Sequence, residues 1–256
     1  MEESAFYNLM RRERMVTIIG IAMIAIMAWG YLAWMAFGMR ADSASMVMPG
    51  AASWSAPYAL MIFIMWAVMM VAMMTPSAAP MILTFARVNA DRSKGASALG
   101  PTGLFTLAYI LVWTGFSAAA TFAQWGLSAM AKLSPMMATT DMRIGGVILI
   151  IAGLFQWTPL KHRCLEKCRT PIGFLMTEWR DGPTGAFVMG LRHGIFCLGC
   201  CWALMLVLFV VGVMNLVWIA LLSVFVLLEK VTDAGRLIAR IGGLALISSG
   251  IWLVVM

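Results

Sequence analysis

The chain has 256 residues, of which 62% are hydrophobic and 11% are charged, and its formal net charge is +7. Soluble domains are roughly 45–50% hydrophobic and about 25% charged, and a chain this short could not bury so much apolar surface in water. The composition therefore excludes a soluble domain, a disordered chain and a disulfide scaffold. The basic residues lie between apolar runs, where they set membrane orientation, so the positive charge does not indicate a nucleic-acid partner.

Seven apolar runs predict an all-α fold, a polytopic transmembrane helical bundle in the lipid bilayer, with one transmembrane domain over residues 1–256. The runs lie near residues 15–37, 57–83, 103–130, 143–159, 186–211, 215–229 and 236–255. A single helix over residues 186–228 would be roughly 60 Å long, twice the hydrocarbon thickness, so we expect a turn at Gly212 and Asn215. Only six spans are present if 143–159 or 215–229 is re-entrant, since both runs are short.

Lysine and arginine are concentrated in alternate gaps between these runs. They cluster near residues 11–14, 87–94, 161–180 and 230–236, whereas the opposite gaps hold only Arg40, Lys132 and Arg143. The positive-inside rule then places the N-terminus in the cytoplasm and the C-terminus outside. Glu229, Lys230 and Asp233 are expected to pair or to anchor the inner end of the sixth span at the interface.

The second run carries a stripe of methionines at helical spacing: Met61, Met65, Met69, Met70, Met73 and Met74. Thioethers are neutral, soft ligands for Cu(I), but methionine also fills gaps in ordinary cores, and the stripe taken alone favours packing. Pro76 and Pro80 are expected to kink or end the helix and to free backbone carbonyls. Met46 and Met48, in the first outer loop, are a further candidate contact for a metal.

Cys164 and Cys168 lie in a basic segment on the cytoplasmic side, next to His162. A structural disulfide is not expected there, because thiols in the cytoplasm are kept reduced. Four-residue spacing places both sulfurs on one helix face, and neighbouring cations favour the metal-binding thiolate form. The alternative is that both cysteines are small residues in an interfacial loop.

Cys197, Cys200 and Cys201 lie within the fifth run, where their spacing places three thiols on one side of a helix. A row at four-residue intervals through this helix contains only candidate soft ligands: Met189, His193, Cys197, Cys201 and Met205. Ionisable groups inside a membrane helix are costly and usually line a cavity or a path, which favours a metal site. The alternative is packing, with nearby glycines permitting close helix contacts.

The sequence lacks the residues that hard-metal sites and nucleotide-binding sites require. The apolar runs contain almost no carboxylates, so they hold no oxygen ligands for Ca²⁺, Mg²⁺ or Mn²⁺. There is no phosphate-binding GxxxxGK[ST] loop and no dinucleotide fingerprint after a strand. These observations favour a binding or transport protein over an enzyme.

Three segments together resemble a known family. They are WAVMMVAMMTP at 66–76, QWTPLKHRCLEKCRTP at 156–171, and GLRHGIFCLGCCWALM at 190–205 followed by Glu229-Lys230. Over residues 57–230 the chain is similar to the bacterial family of predicted metal-binding integral membrane proteins of unknown function. The resemblance implies metal binding in the bacterial inner (cytoplasmic) membrane. It does not fix His162 or His193 as ligands.

The leading hypothesis is a soft-metal protein for Cu(I), which binds the ion at Cys197, Cys200 and Cys201 with methionine help and exchanges it with Cys164 and Cys168. The role would be copper transport, delivery or assembly of a copper enzyme, with a membrane copper enzyme or a copper chaperone as partner. A mercury importer would differ mainly in its ion.

The alternatives are a membrane thiol–disulfide oxidoreductase that uses the CxxC of Cys197 and Cys200, or a non-catalytic subunit of a larger membrane complex. Against the oxidoreductase, the two cysteine groups are expected to lie more than about ten ångströms apart, from ~1.5 Å of rise per helical residue.

Overall fold

A computed structural model describes residues 2–42, 54–92, 97–130, 139 and 141–256. In these residues the chain forms ten helices. They are α1 Glu2–Asp42, α2 Ala56–Arg92, α3 Leu99–Ala129, α4 Met142–Phe155, α5 Pro159–Arg169, α6 Pro171–Glu178, α7 Gly182–Leu206, α8 Leu208–Val211, α9 Leu216–Val231 and α10 Gly235–Val255. The all-α fold class is therefore confirmed.

Five segments of the described chain are helical, long and apolar enough to cross a membrane: Arg11–Gly38, Ala56–Arg92, Leu99–Ala129, Gly182–Val211 and Gly235–Val255. Helices α4 and α5 form a sixth candidate if they are one span bent by 63°. The prediction of seven spans is not confirmed, because two of its runs form the short helices α4, of 14 residues, and α9, of 16 residues. A helix crossing the hydrocarbon needs about 20 residues.

The long fifth run turns where its length requires. Gly212 has a φ of 96°, which glycine adopts without the steric cost that a Cβ would impose. Asn215 then caps α9, and its side chain accepts a hydrogen bond from the backbone N–H of Trp218. The turn predicted at these two residues is confirmed, and it returns α9 toward the end of the bundle from which α7 began.

Helix α2 continues through Pro76 and Pro80, so of the two expected outcomes, a kink or an end of the helix, the end does not occur. The expectation of a freed carbonyl is confirmed, because proline has no N–H to donate to the residue four positions earlier. The carbonyl of Ala72 accepts a hydrogen bond instead from Trp29 Nε1 at 3.0 Å. This bond ties α1 to the middle of α2.

Helices α4 and α10 pack through glycines. A Cβ at Gly146 would lie 2.6 Å from the carbonyl oxygen of Gly250, and a Cβ at Gly153 would lie 2.6 Å from that of Gly243. A residue later in α4 contacts a residue earlier in α10, so the two helices are antiparallel. Small residues at such crossings let backbones approach closely in lipid.

Helices α3 and α7 make a similar contact but run parallel. A Cβ at Gly190 would lie 2.2 Å from the carbonyl oxygen of Phe105, and one at Gly194 would lie 3.4 Å from that of Tyr109. This approach brings the Tyr109 side chain beside the cysteines of α7.

Candidate metal-binding site

The three cysteines of α7 form one buried group. The thiols of Cys200 and Cys201 donate to the carbonyl oxygen of Cys197 at 3.1 Å and 2.9 Å, and their sulfurs lie 3.3 Å apart. All three residues are at most 1% exposed. The three side chains lie on one side of the helix, as their spacing predicts, and that side faces the protein interior.

Helix α5 contributes a fourth thiol to this group. The Cys168 side chain lies close enough to those of Cys197 and Cys200 to interact with them electrostatically. The expectation that the two cysteine groups lie more than ten ångströms apart is therefore wrong for Cys168. We call Cys168, Cys197, Cys200 and Cys201 the thiol cluster.

Cys164 occupies a different position from Cys168. Its sulfur packs against Gly199, where a Cβ would lie 2.9 Å from it. Glycine at this position thus makes room for the Cys164 side chain between α5 and α7. The two cysteines of α5 share a buried helix face, as their spacing predicted, but they have different neighbours.

The polar groups around Cys197 come from two other helices. Lys230 Nζ, from α9, donates to Cys197 Sγ at 3.0 Å and to Ser77 Oγ at 2.8 Å. Tyr109 Oη, from α3, lies 3.1 Å from the same sulfur. The sequence predicts that Glu229 and Lys230 pair or anchor at the membrane interface. Glu229 does pair, with Lys161, whereas Lys230 is buried and bonds to Cys197 and Ser77 rather than to a carboxylate. The signal was present in the sequence, since Glu229-Lys230 closes the last of the family segments.

Lys161 is a second buried cation. The sequence pattern counts it as a loop charge, but it is fully buried, and its Nζ donates to both carboxylate oxygens of Glu229 at 2.9 Å. The pair joins α5 to α9. Because Lys161, Cys164 and Cys168 lie on the same buried face of α5, this pair helps to hold Cys168 against α7.

His193 lies one turn before Cys197 and is enclosed by aromatic rings. It stacks on Phe105 and Tyr109, with ring centroids 6.0 Å and 5.5 Å away, and its edge contacts Phe174. Its Nδ1 atom is buried with no hydrogen-bond partner in the described residues. His193 therefore has a free nitrogen beside the thiol cluster. His162, by contrast, lines a cavity between α5 and the segment that joins α9 to α10.

The candidate methionines are all buried in the same core: Met69, Met70, Met73, Met74 and Met205. The backbone of α2 is linked to the surroundings of the cluster at Met74, whose carbonyl oxygen accepts from Tyr109 Oη at 3.1 Å and from Ser77 Oγ at 3.0 Å. The carbonyl of Met73 accepts from Ser223 Oγ at 3.3 Å. In the stripe of α2, Met61 is exposed and the other five methionines are buried. Met46 and Met48 lie outside the described residues.

The donor atoms of the cluster suit a soft cation. Sulfur and imidazole ligands bind Cu(I), whereas hard divalent ions prefer oxygen. As they stand, no three His, Cys, Asp or Glu side chains of the described chain are arranged to hold a metal ion. The thiols of Cys200 and Cys201 both donate to a carbonyl oxygen. Their sulfur atoms lie 3.3 Å apart, which is closer than the about 3.8 Å between two sulfurs that bind one metal ion tetrahedrally through ~2.3 Å bonds. Loss of the thiol protons would free both sulfurs to turn toward a metal.

Comparison with known proteins gives one family. The model of the family PpoB2, described as a copper chaperone, matches residues 63–253. The matched region contains both cysteine segments, the methionine stripe of α2 apart from Met61, and Lys230. No curated protein and no solved structure matches the chain.

Proposed function

The chain belongs to the copper-chaperone family PpoB2, and we propose that it is a membrane-embedded copper carrier. In this proposal it binds Cu(I) at the thiol cluster in the bacterial inner membrane. It then hands the ion to a membrane copper enzyme or to another copper chaperone.

The observation that carries the proposal is the meeting of two helices at one group of thiols. Cys168 of α5 lies beside Cys197 and Cys200 of α7 inside the protein. Thiolates are soft ligands, and a buried group of four thiols favours a soft ion over the water-rich coordination of a hard ion. A ligand set shared by two helices also lets a small shift of α5 change the number of sulfurs on the ion.

The other candidate residues take supporting roles. His193, with its free Nδ1, and the thioethers of Met73, Met74 and Met205 would complete the coordination during transfer. Met69 and Met70 would extend the soft surface along α2. Cys164 and His162 would hold the ion on its way to or from the cluster.

The proposed orientation places the N-terminus and α5 at the cytoplasmic side. Arg163, Lys167 and Arg169 on α5 support this orientation, because basic residues concentrate on the cytoplasmic side of membrane proteins. The thiol cluster would then exchange copper with the cytoplasm through the end of the bundle that contains α5.

The test is the copper content of the purified protein after loading with Cu(I) under reducing conditions. We expect about one ion per chain in the wild type, and a loss of most of it in Cys168→Ser and in Cys197→Ser. Cys164→Ser is the matched comparison: because Cys164 lies on the same helix face but outside the thiol cluster, this variant should retain the bound copper and only exchange it more slowly. Equal copper content in Cys168→Ser and the wild type would overturn the proposed site.

A second function is supported by the same contact between α5 and α7. Two thiols that lie side by side on α5 and α7 could form a disulfide, with release of two protons and two electrons to a membrane oxidant such as a quinone. In that case a Cys168–Cys197 or Cys168–Cys200 disulfide would be trapped by alkylation in cells. The protein would then cycle between two redox states without binding copper, and this outcome would replace the carrier proposal.

A further inference from the structure

The thiol cluster has almost no contact with the outside of the protein, so copper needs a path to it. Cys197, Cys200 and Cys201 are at most 1% exposed, and Cys168 is 8% exposed. A cavity of about 270 Å³ lies next to this region, between α5 and the segment that joins α9 to α10. It opens to the outside, since Glu166 and Arg236 in its wall are each 63% exposed.

Lys230 joins the cavity to the cluster. It is one of the residues that line the cavity, and its Nζ atom donates to Cys197 Sγ at 3.0 Å. One residue of the cavity wall is therefore already bonded to a sulfur of the cluster. Movement of this one side chain would expose Cys197 to a molecule in the cavity.

The charges around the cavity favour an anion. Three cations, Arg169, Lys230 and Arg236, line it with two carboxylates, Glu166 and Asp233. The opposed charges are weakly paired, because the contact between Arg236 and Glu166 is 4.0 Å long and exposed.

The hydrogen bonds of the wall leave this excess of positive charge in place. Arg169 donates to the backbone carbonyls of Thr232 and Asp233 at 2.7 Å and 3.1 Å, and these bonds leave its charge unneutralised. His162 adds a buried Nδ1 atom without a hydrogen-bond partner in the described residues.

We infer that this cavity receives copper as a small anionic Cu(I)–thiolate complex and that Cys197 is the first sulfur of the cluster to bind the ion. This inference rests on the proposed function and names the form in which the copper arrives. Cu(I) held by two thiolates of a small thiol carries one negative charge, which matches the excess positive charge of the cavity. The open cavity of about 270 Å³ admits the copper–sulfur end of a low-molecular-weight carrier, the rest of which remains outside.

The transfer is a ligand exchange without a change in oxidation state. The bond from copper to one carrier sulfur breaks as the bond to Cys197 Sγ forms, and the departing carrier takes up the proton of the Cys197 thiol. The ammonium of Lys230 moves from the sulfur into the cavity, where it faces the departing group. The second carrier sulfur is then replaced by Cys168, Cys200 or Cys201.

The experiment measures the rate of copper loading from two carriers, Cu(I)–glutathione, which is anionic, and Cu(I)–acetonitrile, which is not. We expect Arg236→Glu to slow loading from the glutathione complex by about tenfold at low salt, because attraction of an anion to a cationic cleft raises the association rate by this order. It should not slow loading from the acetonitrile complex. Arg163→Glu is the matched control, since Arg163 is exposed on α5 outside the cavity wall, and it should leave both rates unchanged.

A second variant tests the path itself. Val231 lines the cavity and is 57% exposed, so Val231→Trp should fold and partly fill the space. We expect it to slow loading from both carriers. Unchanged rates in Val231→Trp, or equal effects of Arg236→Glu and Arg163→Glu with the glutathione complex, would overturn the inference while the wild type still binds copper. If the wild type retains no copper from either carrier, the proposed function itself fails.

Discussion

The ammonium group of Lys230 lies 3.0 Å from the sulfur of Cys197, inside a bundle built largely from apolar helices. A cation in such surroundings is costly unless an opposite charge or hydrogen bonds compensate it. The sulfur of Cys197 and the hydroxyl of Ser77 provide this compensation. The same ammonium offsets negative charge when thiolates bind a metal, since Cu(I) with two thiolates has a net charge of −1.

This relationship predicts the effect of removing the charge. In Lys230→Met we expect the affinity for Cu(I) to fall by about tenfold or more, because an uncompensated charge in the interior is strongly unfavourable. Competition with the coloured Cu(I) chelator bathocuproine disulfonate measures the affinity. Lys230→Arg keeps the charge and should retain much of the binding, and Lys167→Met, on the outer part of α5, should bind as the wild type does. Wild-type affinity in Lys230→Met would exclude the electrostatic role.

The buried pair of Lys161 and Glu229 predicts a pattern of stabilities. Lys161→Met alone should lower the apparent Tm in detergent by about 10 °C, since a buried carboxylate left without its partner costs roughly 3–5 kcal/mol. The double variant Lys161→Met/Glu229→Met should recover at least half of that loss, because neither charge remains. Glu166→Gln, which removes the exposed 4.0 Å contact with Arg236, should change Tm by less than about 2 °C. A double variant as unstable as the single one would show that the pair is not the cause.

The close contact of α4 with α10 predicts sensitivity at its glycines. Gly146→Val must separate the two helices, because even a Cβ at this position would lie 2.6 Å from the backbone of Gly250. We expect an apparent Tm lower by about 10 °C and a broadened size-exclusion peak in detergent. Gly115→Val is the control, since Gly115 of α3 has open space around its Cβ position, and it should melt near the wild type. Similar melting of the two variants would mean that the crossing does not contribute to stability.

Much of the architecture follows from local sequence. Apolar runs of sufficient length identify the five candidate spans, because every backbone polar group in lipid must be satisfied within a helix. The turn at Gly212 follows from the excess length of the fifth run. The shared face of Cys197, Cys200 and Cys201 follows from helical spacing alone. Each of these features depends on residues close together in the chain.

The features that sequence reasoning missed depend on residues far apart. Lys161 is read as a loop charge because its partner, Glu229, is 68 residues away. The separate neighbours of Cys164 and Cys168 depend on how α5 lies against α7, and a 63° bend between α4 and α5 sets the direction in which α5 leaves α4. Hydropathy contains no information about such a bend. The position of Lys230 beside Cys197 likewise requires knowing that α9 packs against α2 and α5.

The hydroxyl of Tyr109 predicts a smaller effect on copper binding. It lies 3.1 Å from both the carbonyl oxygen of Met74 and the sulfur of Cys197, and it has one proton to donate. When the Cys197 thiol gives up its proton as a metal ion binds, the hydroxyl can turn from the carbonyl to the sulfur and stabilise its negative charge. Tyr109→Phe keeps the ring that stacks on His193 but removes this donor.

We therefore expect Tyr109→Phe to weaken Cu(I) binding by about fivefold, which corresponds to the ~1 kcal/mol of a single hydrogen bond. The chelator competition described for Lys230 measures this change. Tyr31→Phe removes a hydroxyl from α1 and should leave the affinity unchanged. An affinity in Tyr109→Phe equal to that of Tyr31→Phe would mean that the hydroxyl acts only on the Met74 carbonyl, and the contact with Cys197 would then have no part in holding copper.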